Sequence, residues 1–338
     1  MEFTAGGRLE VRISPSDVGK RVSVRRLSDP GAGQEKFTDT VGVLTSWNEG
    51  VLLITRRTGE TVRIPESSLV AGKVVPAAPA RRRGPAAGFE ELAGVMARAW
   101  QPVESEALGA WTLRAAGGFT RRANSVLPLG DPGMPLDDAL AHARGWYEAR
   151  NLPAYVQVAT GAEGTQEQLC AALEERGWRR EVTAEVRIGA LAPVADLETG
   201  TGTEGVRLSR SPGEPWLRRY QRVGVPGPHV LHVLGSGPSV WFASLPGEGD
   251  DVPAAIGRCV VDGRWAGFMA VEVDPASRRQ GLGTAVMAAL ARRALEEGAS
   301  AAWLQVEADN GGALALYEGM GFATHHLYHH FRSPDPGT

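Results

Sequence analysis

Residues Arg278-Arg279-Gln280-Gly281-Leu282-Gly283-Thr284 bring together two cations, two glycines and the start of an apolar periodicity. Leu282, Val286, Ala289 and Leu290 recur at helical spacing, so the glycines open a helix. A glycine-rich turn entering a helix leaves backbone N–H groups unpaired at the positive end of the helix dipole, and the arginines add full charges. That is a site for an anion such as a pyrophosphate. Two other phosphate-binding turns fail on spacing. A Rossmann turn sits near the start of a domain with an acidic strand end about 20 residues on, and this chain has neither. A P-loop needs Gly-Lys-Ser/Thr, and Leu282-Gly283-Thr284 supplies no lysine. Farther on come Asn310, Tyr317 and four histidines, His325, His326, His329 and His330. Strand alternation divides the histidines between two faces, and no cysteine or carboxylate is spaced with them as a third ligand, so no metal site is expected.

The turn has to be held by its neighbours. Val271-Glu272-Val273 ends a short strand, which Asp274-Pro275 closes because proline withdraws a ladder donor. After the helix ends at Gly298, residues 301–306 read as a second buried strand, followed by a short helix through Leu316-Tyr317 and by Gly321-Phe322. Strand, turn, helix, strand, helix is a parallel βαβ unit with its ligand at the carboxyl end of the first strand.

With these residues in place, R-R-Q-G-L-G followed by N-x-x-A-x-x-L-Y-E-x-x-G-F resembles the acetyl-CoA-binding core of the GNAT N-acetyltransferases. The resemblance implies acetyl-CoA as co-substrate and direct transfer of its acetyl group to a primary amine of a small molecule, amino acid or protein. It implies that the backbone of Val271 and Val273 pairs with the pantetheine arm. Arg278, Arg279, Gln280, Gly281, Gly283 and Thr284 would cradle the pyrophosphate, with Asn310 near the pantetheine. Tyr317 matches the family's tyrosine near the sulfur, a candidate general acid whose ordinary pKa of about 10 suits a thiolate leaving group. For the base, the two-residue strand period puts Glu272 on the side opposite Val271 and Val273, and Glu307 ends the neighbouring strand. Either could take the amine proton; Glu272 is the candidate, and a histidine is expected on the substrate side.

The chain has 338 residues, 43% hydrophobic and 22% charged, which suits a soluble globular protein of two or three domains. A net charge of -3 argues against a nucleic-acid partner. The two cysteines, Cys170 and Cys259, rule out a disulfide framework and suit a reducing cytoplasm. Neither a signal peptide nor a bilayer-spanning stretch is evident, so a cytoplasmic location and no membrane contact are expected.

Residues 1–76 read as four or five short antiparallel strands with hairpin signals at Asn48-Glu49-Gly50 and Thr58-Gly59. So little chain must curl into a small barrel, and it resembles an SH3-like barrel. It is expected to be an appended module that stabilises the chain or recruits a protein partner. Residues 77–87 form a Pro/Ala/Arg linker. Residues 88–195 repeat the later order of helices and strands, and Gly177-Trp178 echoes Gly321-Phe322. They lack the arginine-rich turn and a match to Tyr317, and so resemble a second, degenerate GNAT-like unit ahead of the catalytic one at 196–333. The expected fold class is α/β (α+β), a tandem GNAT-like arrangement behind a barrel, similar to a group of actinobacterial proteins. In the catalytic unit a helix is expected over 214–223, with Trp216 and Tyr220 as pocket walls or core, and an acceptor-side loop over 226–239. An alternative remains open at this point: a non-catalytic acyl-CoA-binding or interaction protein that uses the barrel to recruit a partner.

Overall fold

A computed structural model describes residues 10–27, 37–76, 84–197, 205–220, 226–247 and 252–334. The chain divides into two compact units, residues 1–79 with 158–179, and residues 80–157 with 180–338. Residues 77–83 of the expected linker lie outside the described residues. No helix among the described residues is long and apolar enough to cross a membrane.

In the first unit the antiparallel strands β1 (Arg21–Leu27), β2 (Phe37–Asn48), β3 (Val51–Thr55), β4 (Thr61–Pro65) and β5 (Leu69–Val74) pair in the order β4-β3-β2-β1-β5. Alternation builds the core: Val22, Val24, Leu44, Leu52, Ile54 and Ile64 are buried together, while Arg25, next after Val24 on β1, is exposed. Glu49 and Gly50, at φ 52° and 73°, join β2 to β3 with Asn48 opposite Val51. Positive φ at both central positions gives the turn whose twist matches a two-residue hairpin. The helix Glu167–Glu175, from the middle of the sequence, belongs to this unit. Its buried Cys170 thiol donates to the Gly59 carbonyl at 3.6 Å, and the Thr160 hydroxyl donates to the Arg57 carbonyl at 2.9 Å. The small N-terminal sheet is therefore a packing partner of mid-chain residues.

The second unit takes in α1 (Phe89–Ala99), β6 (Glu104–Leu108), β7 (Trp111–Ala115), β8 (Leu127–Pro128), α2 (Leu136–Glu148) and the start of β9 (Tyr155–Thr160). After the helix Glu167–Glu175, here α3, come β10 (Arg179–Ala190) and α4 (Leu191–Ala195). The later half supplies β11 (Arg207–Ser209), α5 (Glu214–Arg219), α6 (Pro228–Gly235), β12 (Ser239–Leu245), β13 (Ala255–Asp262) and β14 (Trp265–Val273). It ends with α7 (Leu282–Glu296), β15 (Ala301–Glu307), α8 (Gly311–Gly319) and β16 (Ala323–Arg332). The stretch expected as a loop over 226–239 contains α6. Pro228 occupies its first turn, where a fixed φ favours a helix start, and Val230, Val233 and Leu234 bury one face.

Eight strands form one sheet in the order β11-β12-β13-β14-β15-β10-β16-β9. Strand β10 lies between β15 and β16, and β16 lies between β10 and β9. The last strand of each half thus has both its neighbours from the other half. Strand β10 runs antiparallel to β15 from Ala184 opposite Glu307 to Ala190 opposite Ala301. The division expected at residue 195 follows α4, and strands from both sides of it share this sheet.

Two apolar cores cover the sheet's faces. On one, Leu282, Val286, Leu290 and Ala294 of α7 pack with Leu191 and Val194 of α4, Phe268 of β14 and Tyr317 of α8. On the other, Leu92 and Val95 of α1, Trp216 of α5 and Val233 of α6 pack with Ile256, Met269 and Trp303. Full burial of each such leucine or valine contributes about 1.5–3 kcal/mol.

Candidate active site

Strand β14 pairs in parallel with β15 only from Trp265 opposite Ala301 to Phe268 opposite Leu304. Two residues later Ala270 has φ 51°, and the β13–β14 register slips between Ile256 and Arg258. This is a β-bulge, an extra residue that bends one strand and re-aims its side chains. Phe268 and Val271, three apart, consequently both meet the α7 core, as does Val273. Past Phe268, β14 has no strand partner on its β15 side among the described residues. The backbone of Val271 and Val273 therefore offers an open edge to which an extended, amide-bearing ligand can add as a strand.

This edge leads into the turn. Asp274 accepts from the Ala276 N–H at 2.9 Å and pairs with Arg219, whose Nε donates to the Pro253 carbonyl at 2.7 Å. The Ala276 N–H and the Arg219 guanidinium hold the Asp274 carboxyl below the usual range. Arg278, Arg279, Gln280 and Gly281 are exposed. Arg279 and Gly281 lie in the left-handed region, at φ 63° and 77°. For arginine that conformation is costly, and strain of this kind collects at ligand sites. Helix α7 starts without a side-chain cap, and its first backbone acceptor, the Gly281 carbonyl, is matched by the N–H of Ala285 at 2.9 Å. The amides of Leu282, Gly283 and Thr284 thus precede the helical ladder, beside the exposed Arg278 and Arg279 and with no acidic residue in the first turn. Gly283 is buried, and a Cβ there would meet Val273 at 3.5 Å and Leu316 at 3.8 Å, so the start of α7 rests between β14 and α8.

Helix α8 carries Tyr317, 9% exposed, with its ring edge-on to Phe322 at 6.1 Å between centroids. Burial pushes its phenol up to about 12. Asn310 caps this helix, its Oδ1 accepting from the Ala313 N–H at 3.1 Å. Its side-chain oxygen is thus already engaged, and Asn310 acts first on the orientation of α8. A second anchor comes from β10. Arg187 donates to the Leu314 carbonyl at 3.2 Å and pairs with Glu185 at 2.7 Å, and Glu185 also accepts from the Thr324 hydroxyl at 2.7 Å. The first half of the sheet therefore holds the helix that bears Tyr317. Sequence reasoning missed this pair; its signal was two opposite charges, Glu185 and Arg187, two residues apart in the half of β10 that is mostly buried.

The structure gathers Val271, Val273 and Tyr317 into one core with the buried start of α7. Glu272 is half-buried and Glu307 is exposed. Glu272 sits opposite Ile256 in the β13–β14 ladder, so it shares the face of the second core, away from α7. Trp216 and Tyr220 are core aromatics of that face, packed 5.4 Å apart, and the Trp216 indole N–H donates to the Ala243 carbonyl at 3.1 Å.

The histidines are tied into the packing of β16. His325 joins the Ala87 carbonyl through Nε2 at 3.0 Å and His326 through Nδ1 at 2.8 Å, and His326 stacks edge-on against Phe89. His329 meets the Thr183 hydroxyl at 2.9 Å, and burial pulls its pKa down to about 3. Among the described residues no group of three or more His, Cys, Asp or Glu is arranged to hold a metal.

A parallel strand pair that opens at an uncapped, arginine-flanked helix N-terminus, with a tyrosine on the following helix, defines a GNAT acyltransferase. Solved structures share the fold. A GCN5-related N-acetyltransferase from Kribbella flavida superposes with a TM-score of 0.54 at 18% identity, covering 74% of this chain and 97% of that one. A tandem GNAT protein from the clavulanic acid biosynthesis pathway superposes with a TM-score of 0.51 at 13% identity, covering 75% and 91%. Residues 88–331 match the family described as "Probable histone acetyltransferase Rv0428c C-terminal", and the chain belongs to that family. Residues 16–73 match "Rv0428c N-terminal Sm-like domain", which fits the small bent sheet expected as an SH3-like barrel. A relative from Mycobacterium tuberculosis named "Probable histone acetyltransferase Rv0428c" is 28% identical over 93% of this chain and 95% of its own length. The protein is an acetyltransferase of the GNAT class, which draws its acyl group from an acyl-CoA and passes it to an amine.

Proposed function

We propose that the protein transfers the acetyl group of acetyl-CoA directly to a primary amine of a small molecule, an amino acid or a protein. The observation that carries this is the open β14 edge running into the uncapped start of α7, with Tyr317 buried in the same core. Val271 and Val273 pair with the pantetheine amides, and the pyrophosphate lies on the amides of 282–284 between Arg278 and Arg279, with Gln280, Gly281, Gly283 and Thr284 shaping the turn. The neutral amine nitrogen bonds to the thioester carbonyl carbon, the carbon–sulfur bond breaks, and Tyr317 gives its proton to the departing thiolate. The amine's surplus proton leaves through Glu272, directly or through water, from the face opposite α7.

A phenol at about 12 is fully protonated at neutral pH. It can still serve as acid because the leaving thiolate enters the same dry surroundings. Burial there raises a thiol as well, as it does the buried Cys259 thiol, pushed up to about 12. The name of the mycobacterial relative supports a protein amine among the acceptors to be tried. The test is free-thiol release from acetyl-CoA across panels of small amines, amino acids and peptides. Release with at least one amine, abolished by omitting it, is expected. Acetyl-CoA binding without transfer to any amine would instead leave a non-catalytic acyl-CoA-binding protein.

A further inference from the structure

The loop between β7 and β8 is built to hold one shape. Gly117, Gly118 and Thr120 have φ 57°, 81° and 55°, a costly conformation for β-branched threonine. Buried Asn124 fixes it: its Oδ1 accepts from the N–H of Ala116 at 2.8 Å and of Gly118 at 3.0 Å, and its Nδ2 donates to the carbonyls of Phe119 at 2.7 Å and Thr120 at 2.8 Å. The Thr120 hydroxyl accepts from the Trp100 indole N–H at 2.9 Å. This frame presents Arg121, which pairs with Glu181 at 3.1 Å, and Arg122.

Arg122 is half-buried, and no carboxylate among the described residues pairs with it. Its guanidinium lies 4.5 Å over the Trp100 ring and donates to the Gln305 side-chain oxygen. Gln305 stands one residue beyond Leu304, where the β14–β15 pairing stops, and strand alternation puts it with Trp303 on the face opposite α7. With Glu272 as the proposed base, that is the face from which the amine approaches. A second cation, fully buried Arg258, lies 5.0 Å over the same indole. It is held by the carbonyls of Leu234, Ser236 and Ala99 and has no carboxylate partner among the described residues. Two like charges converge on one ring, with no carboxylate among the described residues paired to either.

We propose that Arg122 binds a carboxylate of the acceptor, so that the acceptors are amines bearing a carboxylate near the reacting nitrogen, as amino acids do. A guanidinium offers a planar pair of donors matched to a carboxylate, and an anion there relieves the repulsion between Arg122 and Arg258. The proposal rests on the acyltransferase function above and names its acceptor class. It also gives the degenerate half a task, since the residue that selects the acceptor comes from its loop.

The test compares kcat/KM for the common amino acids with that for their primary amides, in the native protein and in Arg122→Met and Arg122→Lys. The native protein should favour the acid of the best pair by about 10–100-fold, the scale of a hydrogen bond between charged groups. The ratio should fall close to one in Arg122→Met and lie between in Arg122→Lys. An equal or inverted preference in the native protein overturns the proposal, as does a variant that slows acid and amide in parallel. A second measurement, calorimetric binding of the matching N-acetyl amino acids and N-acetyl amides, separates this claim from the transferase function. Binding of the acid that depends on Arg122 supports the site even where no amine is turned over, and binding indifferent to Arg122 overturns it.

Discussion

Helix α7 starts at Leu282 behind Arg278 and Arg279 with no acidic residue in its first turn, whereas α2, which holds the same place in the first half, starts behind Pro135 and carries Asp137 and Asp138 there. Carboxylates in a first turn answer the helix dipole from within the chain and repel an incoming phosphate. The following helices diverge in the same way while their ends stay alike. Helix α8 stops at Gly321, φ 87°, with the Phe322 N–H donating to the Tyr317 carbonyl at 3.0 Å; α3 stops at Gly177, φ 75°, with the Trp178 N–H donating to the Leu173 carbonyl at 3.0 Å. Leucine stands where the acid would be. The halves have kept the left-handed glycine stop that shapes the fold and differ at the groups that would bind a pyrophosphate and move a proton. The half without that chemistry retains other work: β10 anchors α8, and its loop presents Arg122.

The proton-donor half of this contrast is tested by Tyr317→Phe, which keeps the ring against Phe322 and removes the hydroxyl. Turnover should fall by about 10²–10⁴-fold, the usual worth of general-acid help, with acetyl-CoA affinity nearly constant. Turnover equal to the native protein's would put Tyr317 on the same footing as Leu173. The anchoring role of the first half is tested by Glu185→Gln with Arg187→Met, a pair chosen so that no buried charge loses its partner. A loosened α8 should cost about 10–100-fold in turnover through misplacement of Tyr317, while single-ligand binding of acetyl-CoA changes little. Retained turnover in a folded double variant would make β10 a passive strand.

Removing residues 1–76 strips the strands that pack against α3 and its buried Cys170. Re-exposing each side chain buried there costs about 1–3 kcal/mol, so the thermal midpoint should drop by several degrees. A truncated protein that melts with the full chain would return the barrel to the status of an appendage. The smallest effect concerns pH. A phenol whose folded pKa is raised stays protonated until the pH nears that value, so with Tyr317 at about 12 the acid is not lost below about pH 10. The pH–rate profile should rise as the amine deprotonates and then stay level to that point. A decline between pH 8 and 9 would assign the acid to another group.

The candidate site of the second half was legible as local structure: the turn, the helix start and the helix bearing Tyr317 lie within 40 residues of sequence, and each announces itself by residue type. What was not legible depends on chain passing between halves. Nothing in the apolar alternation of β10 says that its neighbours are β15 and β16, because a buried strand satisfies the same pattern beside any partner. The role of Arg187 followed that blind spot. Helix α6 was hidden by Pro226-Gly227-Pro228, which reads as a loop although proline in a first helical turn is favoured. Strand β6, Glu-Ser-Glu-Ala-Leu, lacks an apolar face of its own and is held by its ladder to β7. The packing of α3 with the barrel joins residues 100 or more apart in sequence, beyond the reach of any local signal.

The asymmetry between the two halves is tested most directly by calorimetric titration of the intact chain with acetyl-CoA, beside a variant carrying Gly281→Asp and Gly283→Asp. These substitutions put carboxylates at the start of α7, as Asp137 and Asp138 already are at the start of α2. One site per native chain and no measurable binding in the variant are expected. Two equivalent sites, or binding that survives both substitutions, would contradict a single acyl-CoA site at α7.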